Sequence, residues 1–335
     1  MALRYVSAFA GIGGFEVGAD LAGGTECVGL IEWSEPSRKV LSQHYPHIPL
    51  MGDINGVAAT DLGGDLDALV GGFPCKQTAS AAPNQAGLGL DGEDSSRFWE
   101  FHRLADEYLR LVDGTRPRWV VIENPDGLRR SRGGRDLATV LRGMADIGYV
   151  GAYRVVDGAR LGTPQQRKRV LIVGHLGGDT SLARSVLGLT GPSGKPSATD
   201  RFGATQPGQP GPRYRLASAP LDPVRHWRKG ANPRAALSLG GYETWVEDDT
   251  ANTLASSDGG LATRQKHLIL QAGRLRTYVP TEWERLMGFP DDWTASMARS
   301  RRFGSLGDAI HTGTSRWMWE GLVRTHTATH VLTAP

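Results

Sequence analysis

"RYVSAFAGIGGFEVGADLAGGTECVGLIEW", residues 4–33, decides the fold. Residues 4–10 are a short apolar run, glycines 11, 13 and 14 break it, residues 15–23 carry helical spacing, and residues 26–32 are apolar again. Strand, glycine turn, helix and strand in that order predict a βαβ unit with parallel strands. Glycines at the strand-to-helix turn let a ligand approach the backbone at the helix N-terminus, where peptide N–H groups are unsatisfied. Glu32 ends the second strand about 20 residues on, where an acid binds ribose hydroxyls, and Trp33 beside it offers a ring to an adenine face. The loop reads Gly11-Ile12-Gly13-Gly14, not G-x-G-x-x-G. A nicotinamide dehydrogenase therefore fits this unit less well.

The pattern extends outward. Residues 66–72, 116–124 and 168–174 read as further buried strands, and residues 34–45, 96–112 and 136–148 as amphipathic helices. Such alternation predicts an α/β fold, a mostly parallel, doubly wound sheet with helices on both faces. From about residue 176 the pattern breaks. "GLTGPSGKPSATDRFGATQPGQPGPRYR" (188–215) is rich in Gly, Pro and Ser and supplies little core. Residues 216–272 hold short mixed segments, and residues 280–289 and 306–325 return to helical spacing. The expected division is 1–175, 176–272 and 273–335, with the last part completing the first.

Bulk composition narrows the class. The chain of 335 residues carries a net charge of +3 and an isoelectric point near 8.9, which suits an anionic partner such as nucleic acid. No apolar run reaches the ~18 residues of a membrane span, and the first residues lack the pattern of a signal peptide. Two cysteines make no disulfide framework, so the expected setting is a reducing, cytoplasmic one.

Cys27 sits in an apolar strand and reads as a small core residue. Cys75 is different. It follows Pro74 directly after a strand, on the side where open α/β sheets bind ligands. A stretch rich in Gly, Ala and polar residues follows it and suits a lid. Glu123 ends the next long strand in "VVIENP" (120–125). A thiol and an acid on one sheet edge make a nucleophile and general-acid pair.

With these residues in view, the chain resembles the DNA (cytosine-5) methyltransferase family of prokaryotic and phage type, over nearly its whole length and in the family's motif order. "FAGIGGF" resembles the S-adenosylmethionine loop, "IEW" the ribose and adenine segment, "GDI" (52–54) an adenine contact, and "GFPC" the catalytic Pro-Cys. "ENP" stands where the family usually has Glu-Asn-Val. "GTPQQRKRVLIVG" (162–174) resembles the Gln-x-Arg-x-Arg segment, "LRTYVPTEWERLMGFPDDW" (275–293) the block ending in Gly-Phe-Pro, and "SLGDAI" (305–310) the final Gly-Asn segment.

The resemblance implies a Rossmann-like methyltransferase domain with a smaller target-recognition domain. It implies S-adenosylmethionine as methyl donor, S-adenosylhomocysteine as product and no metal. The cofactor would be held by Phe9, Ala10, Gly11, Gly13, Gly14, Glu32, Trp33, Asp53, Ile54, Pro74 and Asp308. Cys75 would be the nucleophile at cytosine C6 and Glu123 the acid at N3, with Arg167 and Arg169 holding base and phosphate. Lys76, Gln77, Asn124, Gln165 and Arg276 would face the substrate. The partner would be double-stranded DNA, entered by base flipping and bound by a monomer. A cognate restriction endonuclease is a further expected class of partner.

The region 176–272 would read sequence, since basic clusters at 213–215, 225–234 and 264–267 interleave with Tyr214, Trp227, Tyr242 and Trp245. Departures from the family pattern are few. Lys76 follows the cysteine where Gln is usual, Asp308 stands for Asn, and Asp94 and Arg97 match the lid's end only loosely. Two alternatives carry the same machinery: a tRNA cytosine-5 methyltransferase, and a silenced DNA-binding relative.

Overall fold

The computed structural model describes residues 2–74, 97–177, 180–189, 225–229, 236–238, 244–248, 251, 267–271 and 274–333. Its main sheet has seven strands: β1 (Leu3–Ala8), β2 (Thr25–Ile31), β3 (Leu50–Met51), β4 (Ala68–Gly71), β5 (Trp119–Pro125), β6 (Tyr149–Asp157) and β7 (Lys168–Leu176). They lie in the order β3-β2-β1-β4-β5-β7-β6. The first five run parallel. Strand β7 runs antiparallel to both β5 and β6.

Adjacent residues of each central strand feed opposite faces, as the pleat requires. Leu69, Val120 and Ile122 pack with Phe98, Phe101 and Tyr108 of α3 (Arg97–Leu111) and Leu137 and Val140 of α5 (Arg135–Asp146). Val70, Trp119 and Val121 pack with Phe15 of α1 (Gly14–Ala22), Val186 of α6 (Thr180–Val186) and Trp319 and Leu322 of α9 (Thr312–Thr333). Each such buried apolar side chain contributes about 1.5–3 kcal/mol. A third cluster joins Val40 and Leu41 of α2 (Glu35–His44) to Trp283 and Leu286 of α7 (Pro280–Met287) and Phe303 of α8 (Arg299–Asp308).

The C-terminal segment is therefore part of the main layer structure. Trp319 Nε1 and Ser315 Oγ both donate to the Phe15 carbonyl, at 3.0 and 3.2 Å. Trp293 Nε1 donates to the Ile12 carbonyl at 2.7 Å and its ring stacks on His44 at 3.5 Å.

Three sequence expectations are corrected. Residues 306–325 do not form one helix: α8 stops at Asp308 and α9 starts at Thr312. Ala309 is extended there, and the carbonyls of Gly307 and Ala309 both accept from Arg167, which draws them away from a helical ladder. The sheet's far edge, β6, was missed, because its residues alternate in burial without an apolar run. The region after residue 216 contains more than short mixed segments. Strands β8 (Arg225–Lys229), β9 (Ala236–Ser238), β10 (Thr244–Asp248), β11 (His267–Gln271) and β12 (Arg274–Arg276) form a second, antiparallel sheet in the order β12-β11-β8-β10-β9. Among the described residues, no helix is long and apolar enough to cross a membrane.

Candidate active site

Strand pairing gathers the chemistry at one edge. Ala8 lies opposite Gly71 and Gly71 opposite Ile122, so the chain leaves β1, β4 and β5 side by side. The connection from β1 leads to β2 on one side while β4 lies on the other, and such a switch point is where open sheets bind ligands. Because β7 is antiparallel it begins at this same edge, with Arg169 opposite Pro125 and Leu171 opposite Glu123.

The glycine loop leaves β1 through Phe9 at φ 55°, Gly11 at φ 57° and Gly13 at φ 90°. Gly13 caps α1 in the left-handed region, which a side chain would disfavour. Glu32 is buried, and it is committed to the loop. Its Oε2 accepts the Gly11 N–H at 2.8 Å and its Oε1 the Ser34 N–H at 2.7 Å. Burial raises the Glu32 pKa and these N–H bonds oppose the rise. Trp33 beside it is 70% exposed, an uncommon setting for so large an apolar ring. Asp53 accepts the Asn55 N–H at 3.0 Å and pairs with Arg97 at 3.3 Å, while Ile54 is buried. Pro74 is half-buried, and Asp308 is exposed at the end of α8. Glycine turn, anchored acid and open ring together suit a nucleoside whose ribose meets Glu32 and whose base covers Trp33.

Glu123 is buried with Oε1 2.9 Å from Arg169 Nε. Burial raises its pKa against the pull of Arg169 and then Arg167. A Cβ on Gly72 would lie 3.0 Å from Glu123 Oε2 and 3.3 Å from the Glu123 carbonyl, so a side chain there would crowd this carboxyl. The next residue, Asn124, donates from Nδ2 to the Phe73 carbonyl at 3.1 Å. This bond staples the end of β5 to the Gly71–Pro74 turn. Cys75, Lys76, Gln77 and Asp94 lie outside the described residues.

The Gln-x-Arg-x-Arg segment divides its labour. Arg169 meets Glu123. Arg167 is fully buried and reaches the other way, donating from Nη2 to Gly307 O at 2.9 Å and Ala309 O at 2.6 Å. Gln165 is fully buried, and neither end of its carboxamide has a hydrogen-bond partner among the described residues. Its backbone neighbours hold Ala251: Gln166 N–H donates to Ala251 O at 2.8 Å and Ala251 N–H to Pro164 O at 2.7 Å. Arg276 lies apart, in a bidentate pair with Glu282 at 2.8 and 2.5 Å.

Sequence reasoning missed His311. It is fully buried, with Nδ1 accepting the Thr314 N–H at 3.1 Å and Nε2 2.6 Å from Thr163 Oγ1. An accepting Nδ1 puts the ring proton on Nε2, which donates to Thr163. Burial, then Arg167 and Arg169, push its pKa down to about 3. With Arg167 it locks the start of α9 to the segment before β7. No local sequence pattern marks such a long-range contact.

The comparisons agree with this geometry. The profile of the family described as C-5 cytosine-specific DNA methylase matches residues 3–318. The type II methyltransferase M2.BsuMI of Bacillus subtilis (strain 168) is 26% identical over 329 residues, covering 96% of this chain and 75% of the relative. The type II methyltransferase M.HpaII of Haemophilus parainfluenzae is 26% identical over 328 residues, covering 91% and 85%. Among solved structures, the S. pombe Dnmt2 methyltransferase superposes with a TM-score of 0.62 at 14% identity, over 97% of this chain and 99% of the other. A putative DNA modification methyltransferase encoded within an E. coli prophage gives 0.59 at 16% identity, over 97% and 100%. These two show the fold. The family profile, spanning nearly the whole chain, shows that the protein belongs to the C-5 cytosine-specific DNA methylases and is an S-adenosylmethionine-dependent DNA cytosine methyltransferase.

Proposed function

We propose that Cys75 is the nucleophile and Glu123 the general acid in methylation of a cytosine flipped out of duplex DNA. The observation that carries this is the staple between Asn124 and Phe73. It fixes the turn leading to Cys75 against the residue beside Glu123. Cytosine C5 is a weak nucleophile. Addition of the Cys75 thiolate to C6, with a proton from Glu123 to N3, gives the ring enamine character. The raised pKa of the buried Glu123 keeps that proton available. The bound cofactor supplies an electrophilic methyl sulfonium. C5 takes the methyl, the sulfonium leaving as a thioether; C5 then loses its proton to a base, the Cys75–C6 bond breaks to return the thiolate, and N3 gives its proton back to Glu123, which releases 5-methylcytosine.

Arg169 orients Glu123, and its positive charge favours a thiolate at Cys75. The unpartnered Gln165 carboxamide pairs with the bound nucleotide, because a buried amide left alone costs about 1–3 kcal/mol. Arg167 acts as a positioning residue through α8 and α9. The loop at Gly11–Gly14, Glu32, Trp33, Asp53 and Ile54 holds the cofactor, and the second sheet carries target recognition. The enzyme acts as a cytoplasmic monomer beside a restriction endonuclease of matching specificity, a setting supported by the type II methyltransferases among its relatives.

Nucleoside mass spectrometry tests the chemistry. Genomic DNA from a methylation-free host expressing the protein should contain 5-methylcytosine, and the Cys75→Ser variant should leave none. Equal methylation in both removes Cys75 from the mechanism. Methyl groups found in tRNA instead of DNA would overturn the substrate.

A further inference from the structure

Immediately after β5 the chain reads "DGLRRSRGGRD" (126–136). Its four arginines fall within seven positions, between Asp126 and Asp136. In most surface charge runs acids and bases alternate in solvent. Here the acids lie underneath. The Asp126 side chain is 9% exposed and takes Arg129 Nε at 3.0 Å and Arg130 Nη2 at 2.9 Å. Asp136 is fully buried and takes Arg132 Nε at 2.8 Å together with the Ser131 hydroxyl. The arginine side chains stay open: 43% for Arg129, 64% for Arg130 and 26% for Arg132. Arg135 is exposed with no ion pair among the described residues.

The backbone is bent to achieve this. Arg132, Gly133 and Gly134 take φ values of 47°, 68° and 91° in succession. A left-handed conformation is unfavourable for a non-glycine residue, and Arg132 holds it while paired with the buried Asp136. The run follows directly on β5, the strand that carries Glu123, and Lys168, which starts β7, is also exposed. Four arginines over two buried acids leave two net positive charges in the segment that follows β5.

We infer that Arg129, Arg130, Arg132 and Arg135 form a phosphate-contacting face that grips the duplex backbone flanking the flipped cytosine. The inference rests on the duplex-DNA reading above. Guanidinium forks match phosphate oxygens, and heads pre-set by buried carboxylates lose little freedom on binding. Such contacts position the duplex and carry no sequence information.

Full-length protein and a fluorescein-labelled mixed-sequence duplex test it by anisotropy across a salt series. The double variant Arg130→Gln/Arg135→Gln leaves Asp126 paired with Arg129 and should melt like the parent. Its slope of log K against log salt should shrink by about 2, near 1 per lost phosphate contact, with affinity down about tenfold. The variant Arg130→Lys/Arg135→Lys should keep the parent's slope. A double glutamine variant that melts normally but keeps slope and affinity overturns the arginine face alone. A parent that binds no duplex overturns the DNA reading and the face with it. Loss confined to tRNA binding would also reject the face as a duplex contact.

Discussion

Glu16 in the first turn of α1 allows a quantitative prediction about stability. It is fully buried. Burial pushes its pKa from 4.5 up to about 7, opposed by the neighbouring Ser7 and by a backbone N–H, with Asp20 adding to the rise. A raised folded-state pKa means the fold favours the protonated acid. Below the unfolded value both states hold the proton and no penalty exists. As pH rises through the window from 4.5 to about 7 the unfolded chain releases its proton first, and stability falls. The full penalty is the shift multiplied by about 1.36 kcal/mol per unit, or about 3 kcal/mol. Glu16→Gln removes the titration at nearly constant shape. The variant should therefore gain about 3 kcal/mol near pH 8 and about 1 kcal/mol or less near pH 5. At ~2.1 cal/mol/K of unfolding entropy per residue, that gain raises Tm by about 4 °C at the higher pH. Differential scanning calorimetry at the two pH values reads it. An equal shift at both, or a lower Tm at the higher pH, would refute the assignment of Glu16 as the strained acid.

His311 titrates with the opposite sign. Its folded pKa of about 3 lies below the ordinary 6.5, so stability is complete above that value and falls as pH drops toward about 3, by about 4–5 kcal/mol. The acid unfolding limb of His311→Gln should be shallower than the parent's, and an unchanged limb in chemical denaturation would reject the buried neutral ring. Glu123→Gln should lower the rate of methyl transfer by about 100-fold or more, read by tritium incorporation under single turnover. In the parent, transfer should decline on the alkaline side as the raised Glu123 pKa is passed, and a profile that keeps climbing would exclude it as the acid. Gly18→Ala should cost about 1–3 kcal/mol, because the added Cβ would sit 2.2 Å from Ser315 Oγ and 2.7 Å from the Arg316 backbone N. A normal melting temperature in that variant would mean α9 does not seat on α1 as described.

Most of the sheet was legible because buried parallel strands announce themselves. The runs at 4–10, 66–72 and 116–124 are apolar on both faces, and they became β1, β4 and β5. Strand β6 was not legible, since an edge strand alternates without an apolar run. The break between α8 and α9 was invisible for another reason. It is imposed by Arg167 and His311 across the fold, while the local residues keep helical spacing. The candidate site residues stand out in the sequence by type and spacing, and their contacts do not. Nothing in "QQRKR" says that Arg169 turns to Glu123 while Arg167 turns to a helix break. Nor does "LRTYVPTEWE" say that Arg276 closes on Glu282.

The seating of α9 on α1 has a consequence for how the enzyme is made. Phe15, in the first turn of α1, leaves the ribosome well before Ser315 and Trp319, and its carbonyl awaits them some 300 residues later. Arg167 likewise waits 140 residues for its carbonyls at Gly307. A nascent chain, or a product cut short before α9, therefore leaves the back of the glycine loop bare. Synthesis passes α9 before the layer behind that loop can close.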